Sequence, residues 1–144
     1  MKADKKTETE VMAVINRFLE TYTRRDAEGT LALLAPDPDI LLIGTGADEK
    51  IVGIEQARKQ LKRDYEQSGD ISIRLGPVAI SAAGPVAWVA ADSTWRVKLG
   101  GQDVNYNWRW TMVMEKRQGK WLIMQSHLSA PAYSQAEGQS FPAK

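Results

Sequence analysis

The segment Asn107–Pro131, NWRWTMVMEKRQGKWLIMQSHLSAP, decides how this chain folds. Two runs rich in aromatic and apolar residues flank the polar stretch Lys116-Arg117-Gln118-Gly119-Lys120, which is the pattern of a β-hairpin. Side chains alternate faces along a strand. One side therefore carries Trp108, Trp110, Met112 and Met114, then Leu122, Met124, Ser126 and Leu128. The other carries Arg109, Thr111 and Val113, then Trp121, Ile123, Gln125 and His127. The first set is the more apolar and is expected to wall an internal pocket; the mixed set is expected to face a partner subunit.

Bulk properties narrow the function classes. A length of 144 residues fits one domain, expected over residues 1–131, followed by a tail at 132–144 whose only large apolar side chains are Tyr133 and Phe141. Nineteen Lys and Arg against eighteen Asp and Glu give a net charge of +1, so neither nucleic acid nor an anionic membrane is an expected partner. Without cysteine there is no disulfide, thiolate nucleophile or cysteine-ligated metal, and a reducing compartment fits. The N-terminal MKADKKTETE lacks the apolar core of a signal peptide, and no apolar run approaches the ~20 residues of a membrane span. A cytoplasmic protein is expected.

Upstream of the hairpin the period is helical. Thr7 and Glu10 match a capping box, and Val11, Val14, Ile15, Phe18, Leu19 and Tyr22 follow as one apolar stripe. Asp26 is positioned to cap a second, short helix with Leu31 and Leu34 inward, stopped by Pro36 and Pro38. Ile40–Ile43 reads as a short strand closed by Gly44-Thr45-Gly46, a plain turn, because the third glycine and following helix of a phosphate loop are missing. Ile54, Ala57, Leu61 and Tyr65 mark a third helix, with Arg58, Lys59, Lys62 and Arg63 on a solvated side. From Asp70 the period becomes two. Gly76-Pro77 interrupts one strand, Gly84-Pro85 turns the chain, and Val86–Val97 forms another.

That order, together with Gly119-Lys120-Trp121-Leu122-Ile123 and Ser126-His127-Leu128-Ser129-Ala130-Pro131, resembles the nuclear transport factor 2-like superfamily, above all its SnoaL-like branch. It is similar also to the association domain of calcium/calmodulin-dependent kinase II. The resemblance implies an α+β fold, a cone-shaped barrel in which three N-terminal helices pack on a strongly curved, mostly antiparallel sheet. A cavity lies between the two layers, and homodimers commonly form through the outer sheet face. The superfamily includes ketosteroid isomerase, dehydratases, polyketide cyclases, transport factors and inert oligomerisation modules, so chemistry has to be argued from side chains.

Asp92 is the expected catalytic residue. It shares strand parity with Trp88, and if Trp88 faces the cavity the carboxylate does too, where poor solvation would raise its pKa toward proton exchange with a carbon acid. The competing role is a pairing with Arg96, Arg74 or a backbone amide at the cavity mouth. The expected ligand-binding set is Tyr22, Tyr65, Trp88, Trp108, Trp110, Met112, Met124 and Ser126: wide rings with adaptable thioethers around an apolar guest. Trp95, Trp121, Arg109 and His127 are expected on the outer face. A single histidine excludes a histidine-cluster metal site, and neither metal nor cofactor is expected. The expected function is binding of a hydrophobic small molecule, with cofactor-independent isomerisation, cyclisation or dehydration through the cavity carboxylate. The alternative is a non-catalytic oligomerisation or ligand-binding module.

Overall fold

The computed structural model describes residues 1–143. The first helix, α1 (Lys5–Thr23), begins before the expected capping box because Asp4 caps it, its side chain accepting from the Thr7 amide at 2.7 Å. Its stripe buries Val11, Ile15 and Tyr22. Asp26 caps α2 (Ala27–Leu31) by accepting from the Gly29 amide, and Leu31 and Leu34 are buried as the spacing requires.

Two short strands follow, β1 (Leu41–Ile43) and β2 (Lys50–Val52), joined by the Gly44–Glu49 turn. The second of these has no sequence signature: only Ile51 of its three residues is buried. Next come α3 (Gly53–Glu66), β3 (Ile71–Ala83), β4 (Val86–Leu99), β5 (Gln102–Arg117) and β6 (Lys120–Ser129). The strands form one sheet in the order β2-β1-β6-β5-β4-β3, antiparallel except where β1 runs parallel to β6. Three helices therefore share one face of a curved, mostly antiparallel sheet, and the fold is α+β as expected.

Two irregularities shape the sheet. In β3 the register shifts between Leu75 and Val78, at Gly76-Pro77; proline is tolerated there because β3 is an edge strand with no donor required on its open side. In β6 the pairing passes from Val113↔Gln125 to Met114↔Ile123, which leaves Met124 as the extra, bulged residue. The bulge inverts parity along β6. Trp121 and Ile123 point inward before it, and Ser126 and Leu128 point inward after it. The expectation that Trp121 and Ile123 lie outside with Gln125 and His127 is thus corrected. Trp121 is 6% exposed, and its Nε1 donates at 2.8 Å to Glu10, which also accepts from Lys116 at 2.6 Å and so ties α1 to the hairpin. The hairpin turn uses Gln118 and Gly119, both at positive φ, a conformation matched to strand twist.

The face of β4 is the second correction. Ala87, Val89, Ala91, Ser93, Trp95 and Val97 are buried against the helices, so Trp88 and Asp92 point outward and Trp95 inward. The outward row holds Val86, Trp88, Ala90, Asp92, Thr94, Arg96 and Lys98, so the more polar row faces out and carries Trp88 with it, while Trp95 sits in the apolar row that faces the helices. The tail expected at 132–144 is described as far as Ala143, Lys144 lying outside the described residues; Tyr133 and Phe141 are exposed on it.

Inward and outward positions on β6 differ in their energetic weight. Ile123→Ala should cost about 2–5 kcal/mol, read as a lowered urea midpoint, because it empties a site that is 1% exposed. His127→Ala, on the solvent side of the bulge, should stay within about 0.5 kcal/mol of the parent.

Candidate functional site

Between the helices and the sheet lies an open-mouthed cavity of about 440 Å3. From α1 come Phe18 and Tyr22, from α3 Gln60, Leu61 and Asp64, from the sheet Trp95, Tyr106, Trp108, Trp110 and Ser126, and from the β1–β2 turn Gly44, Thr45 and Glu49. The rings form a connected wall. Trp110 lies 5.2 Å from Phe18, Phe18 stacks on Tyr22 at 5.9 Å, Tyr22 meets Trp95 edge-on at 5.4 Å, Trp95 reaches Trp108 at 5.0 Å, and Trp108 stacks on Tyr106 at 4.7 Å. Both buried indole N–H groups of this wall are satisfied: Trp110 donates to Ser126 Oγ at 2.7 Å and Trp95 to Ser93 Oγ at 3.0 Å.

The carboxyl group of Asp64 stands in this wall. The Tyr22 hydroxyl donates to its Oδ2 at 2.9 Å, and Gln60 Nε2 donates to its Oδ1 at 2.7 Å. Burial pushes its pKa up, the Tyr22 and Gln60 hydrogen bonds oppose this, the charge of Glu49 adds to the rise and the charge of Arg63 works against it, with burial the largest of these. The Tyr22 hydroxyl is likewise pushed up, by burial first and then by the charge of Asp64. At the rim, Glu49 is joined to Arg63 at 3.2 Å, and Arg63 also pairs with Asp48 at 2.7 Å. An acid that keeps its proton to higher pH, beside a phenol, can give or take a proton at a guest in the cavity.

Of the residues expected to form the site, Tyr22, Trp108, Trp110 and Ser126 line this cavity. Tyr65 lies behind Tyr22, their rings 5.6 Å apart, with its hydroxyl buried and without a hydrogen-bond partner among the described residues. Met112 is packed beneath the wall at 2% exposure. Met124 occupies the bulge, its sulfur 3.8 Å from Arg117. Trp88 is 40% exposed on the outer face. Asp92 is there too, in a shallow depression with Arg109 and Pro131, and so stands across the sheet from the cavity. Arg109, its cross-strand neighbour, donates to the Ala130 carbonyl, and Arg96 to Asn105. His127 is exposed on the same outer side.

Asp64 and Gln60 were within reach of helical spacing. Ala57, Gln60, Leu61 and Asp64 fall at i, i+3, i+4 and i+7, the inward face of α3, but the four basic residues around them make the segment read as a solvated side. Among the described residues no group of three histidine, cysteine or acidic side chains could hold a metal ion, and no helix is long and apolar enough to cross a membrane.

Comparison with curated proteins found no match. Among solved structures, a nuclear transport factor 2-like superfamily protein from Salmonella enterica serovar Typhimurium superposes with a TM-score of 0.84 at 22% identity, covering 96% of this chain and 100% of that one. A structure from Streptomyces avermitilis assigned as a dehydratase of the NTF2-like family gives 0.82 at 17% identity, over 90% and 99%. One from Xanthomonas campestris assigned as a calcium/calmodulin-dependent protein kinase II association domain gives 0.76 at 24%, over 86% and 87%. These likenesses show the fold. The family model for the SnoaL-like domain matches residues 11–133, and the chain belongs to that family.

Proposed function

We propose that this protein binds a hydrophobic small molecule in the helix–sheet cavity and moves a proton at it through Asp64, as a cofactor-independent isomerase, cyclase or dehydratase would. The carboxyl role assigned from sequence to Asp92 passes to Asp64. The observation that carries the proposal is a carboxyl group facing an aromatic cavity with Tyr22 and Gln60 as its hydrogen-bond donors. Such a group is neutral over part of the range in which ordinary carboxylates are charged, serves as an acid when protonated, and becomes a base strengthened by desolvation when it is not. The outer sheet face supports a homodimer: Trp88 is 40% exposed there and Val86 37%, beside the polar Arg109, Thr111 and His127. The same face favours the second reading, an assembly module in which the cavity is inert. The cysteine-free composition is in keeping with a cytoplasmic setting.

Three outcomes are expected. First, 2-naphthylmethanol should quench tryptophan fluorescence with a Kd of roughly 0.1–1 mM, and the protein should speed deuterium exchange at the α-carbon of 1-tetralone, with Asp64→Asn at least about a hundredfold slower by NMR. Binding without any Asp64-dependent exchange would leave only the non-catalytic reading.

Second, the raised pKa of Asp64 makes the folded state hold a proton that the unfolded chain has already lost above about pH 3.9. Stability therefore falls as pH rises from that value through the folded pKa, at a slope approaching about 1.4 kcal/mol per pH unit between the two. Asp64→Asn removes this fall, so urea unfolding should find the variant close to the parent at pH 4 and more stable at pH 8.

Third, size-exclusion chromatography with light scattering should give twice the 16.0 kDa chain mass for the parent and the single chain mass for Trp88→Glu. A monomeric parent at micromolar concentration would remove the dimer.

A further inference from the structure

The charges around the cavity are one-sided. Among the described residues that line it, the ionisable acids are Glu49 and Asp64, and there is no lysine, arginine or histidine. The arginines nearby in the fold point their donors elsewhere. Arg63 is engaged with Asp48 and Glu49 at the rim, and Arg25 donates to the carbonyls of Tyr65, Ser68 and Gly69 while its guanidinium covers the outer side of the Tyr65 ring. Glu49 thus has a cationic partner in direct contact, whereas Asp64 is hydrogen-bonded only by the neutral donors Tyr22 and Gln60 and feels Arg63 through its charge alone.

Each class of guest meets this lining differently. A carboxylate or phosphate would be desolvated beside Asp64, with no lysine, arginine or histidine in the lining to pair it and Arg63 already held by Asp48 and Glu49. A neutral guest gains apolar contact alone. A protonated amine gives Asp64 a directly paired cation, in a lining that also holds the aromatic rings of Tyr22, Trp95 and Trp108, and aromatic rings attract an ammonium through their quadrupoles.

We infer that the cavity is selective for an apolar molecule carrying a protonated amine, seated with its ammonium at Asp64 among Tyr22, Trp95 and Trp108, and that it rejects carboxylates and phosphates of the same size. This rests on the proposed function, since it names the ligand class of the same cavity. It also joins the two roles of Asp64: an ammonium within about 4–6 Å favours the ionised carboxyl, so the guest itself would generate the base that acts on it.

The test is a set of three naphthalene probes of matched size, titrated against the intact protein at pH 7 by tryptophan fluorescence: 2-naphthylmethylamine, 2-naphthylmethanol and 2-naphthoate. The amine should bind about tenfold more tightly than the alcohol, and the alcohol more tightly than the naphthoate. Asp64→Asn should bring amine and alcohol to within about twofold of each other, whereas Asp92→Asn, across the sheet, should leave the preference intact. An alcohol or naphthoate that binds as well as the amine overturns the inference and leaves the proposed function standing, and so does an amine preference that survives Asp64→Asn. Failure of all three probes to bind overturns both. The ranking in the parent protein needs no variant and stands even if Asp64→Asn does not fold.

Discussion

The hydrogen bond from the Tyr22 hydroxyl to Asp64 links α1 to α3 over 42 residues of sequence and sets the character of everything beneath it. A carboxyl taken from water needs donors; Tyr22 supplies one and Gln60, one helical turn before Asp64, supplies the other. Neither donor carries charge. The group is therefore satisfied geometrically while its ionisation stays disfavoured, which is the combination a structural ion pair would abolish and a proton-transfer site needs.

The sheet has to bend for that site to exist. Curvature comes from the irregularity at Gly76-Pro77 and from the Met124 bulge, and the second does more than bend: it lets Trp121 and Ile123 close the deep core while Ser126 and Leu128, further along the same strand, turn toward the cavity. Ser126 then accepts the indole N–H of Trp110. Other ion pairs collect at the hairpin end, where Arg117 is shared by Asp37 and Glu115 and Lys116 pairs with Glu10.

Local periodicity made much of this legible. The stripe Val11–Tyr22, the Asp26 cap, the break at Gly76-Pro77 and the hairpin turn at Gln118-Gly119 all follow from short-range chemistry that a sequence carries in full. What escaped depends on long-range pairing. The strand Lys50–Val52 is three residues long and gains its identity by pairing with β1. The bulge at Met124 leaves no compositional mark, yet it turns Trp121 and Ile123 to the face opposite the one that simple alternation gives them. On β4 the eye follows Trp88, but the helices bury the row containing Ala87, Val89, Ala91 and Trp95, and Asp92 goes outward with Trp88. Asp64 was obscured by its neighbours Lys62 and Arg63, although its helical phase matches that of Ala57 and Leu61.

Everything proposed for the cavity depends on Asp64 being a desolvated acid in an aromatic lining with no cation in direct contact with it. A 13C NMR titration of the aspartate side-chain carboxyls reads this directly, with the Asp64 resonance assigned by its loss in Asp64→Asn. The Asp64 carboxyl should titrate above the ordinary carboxylate range and move downward when 2-naphthylmethylamine is added. Titration at or below the ordinary range in the free protein would mean that the carboxyl is neither desolvated nor uncompensated, and the proposed chemistry and ligand preference would both fall.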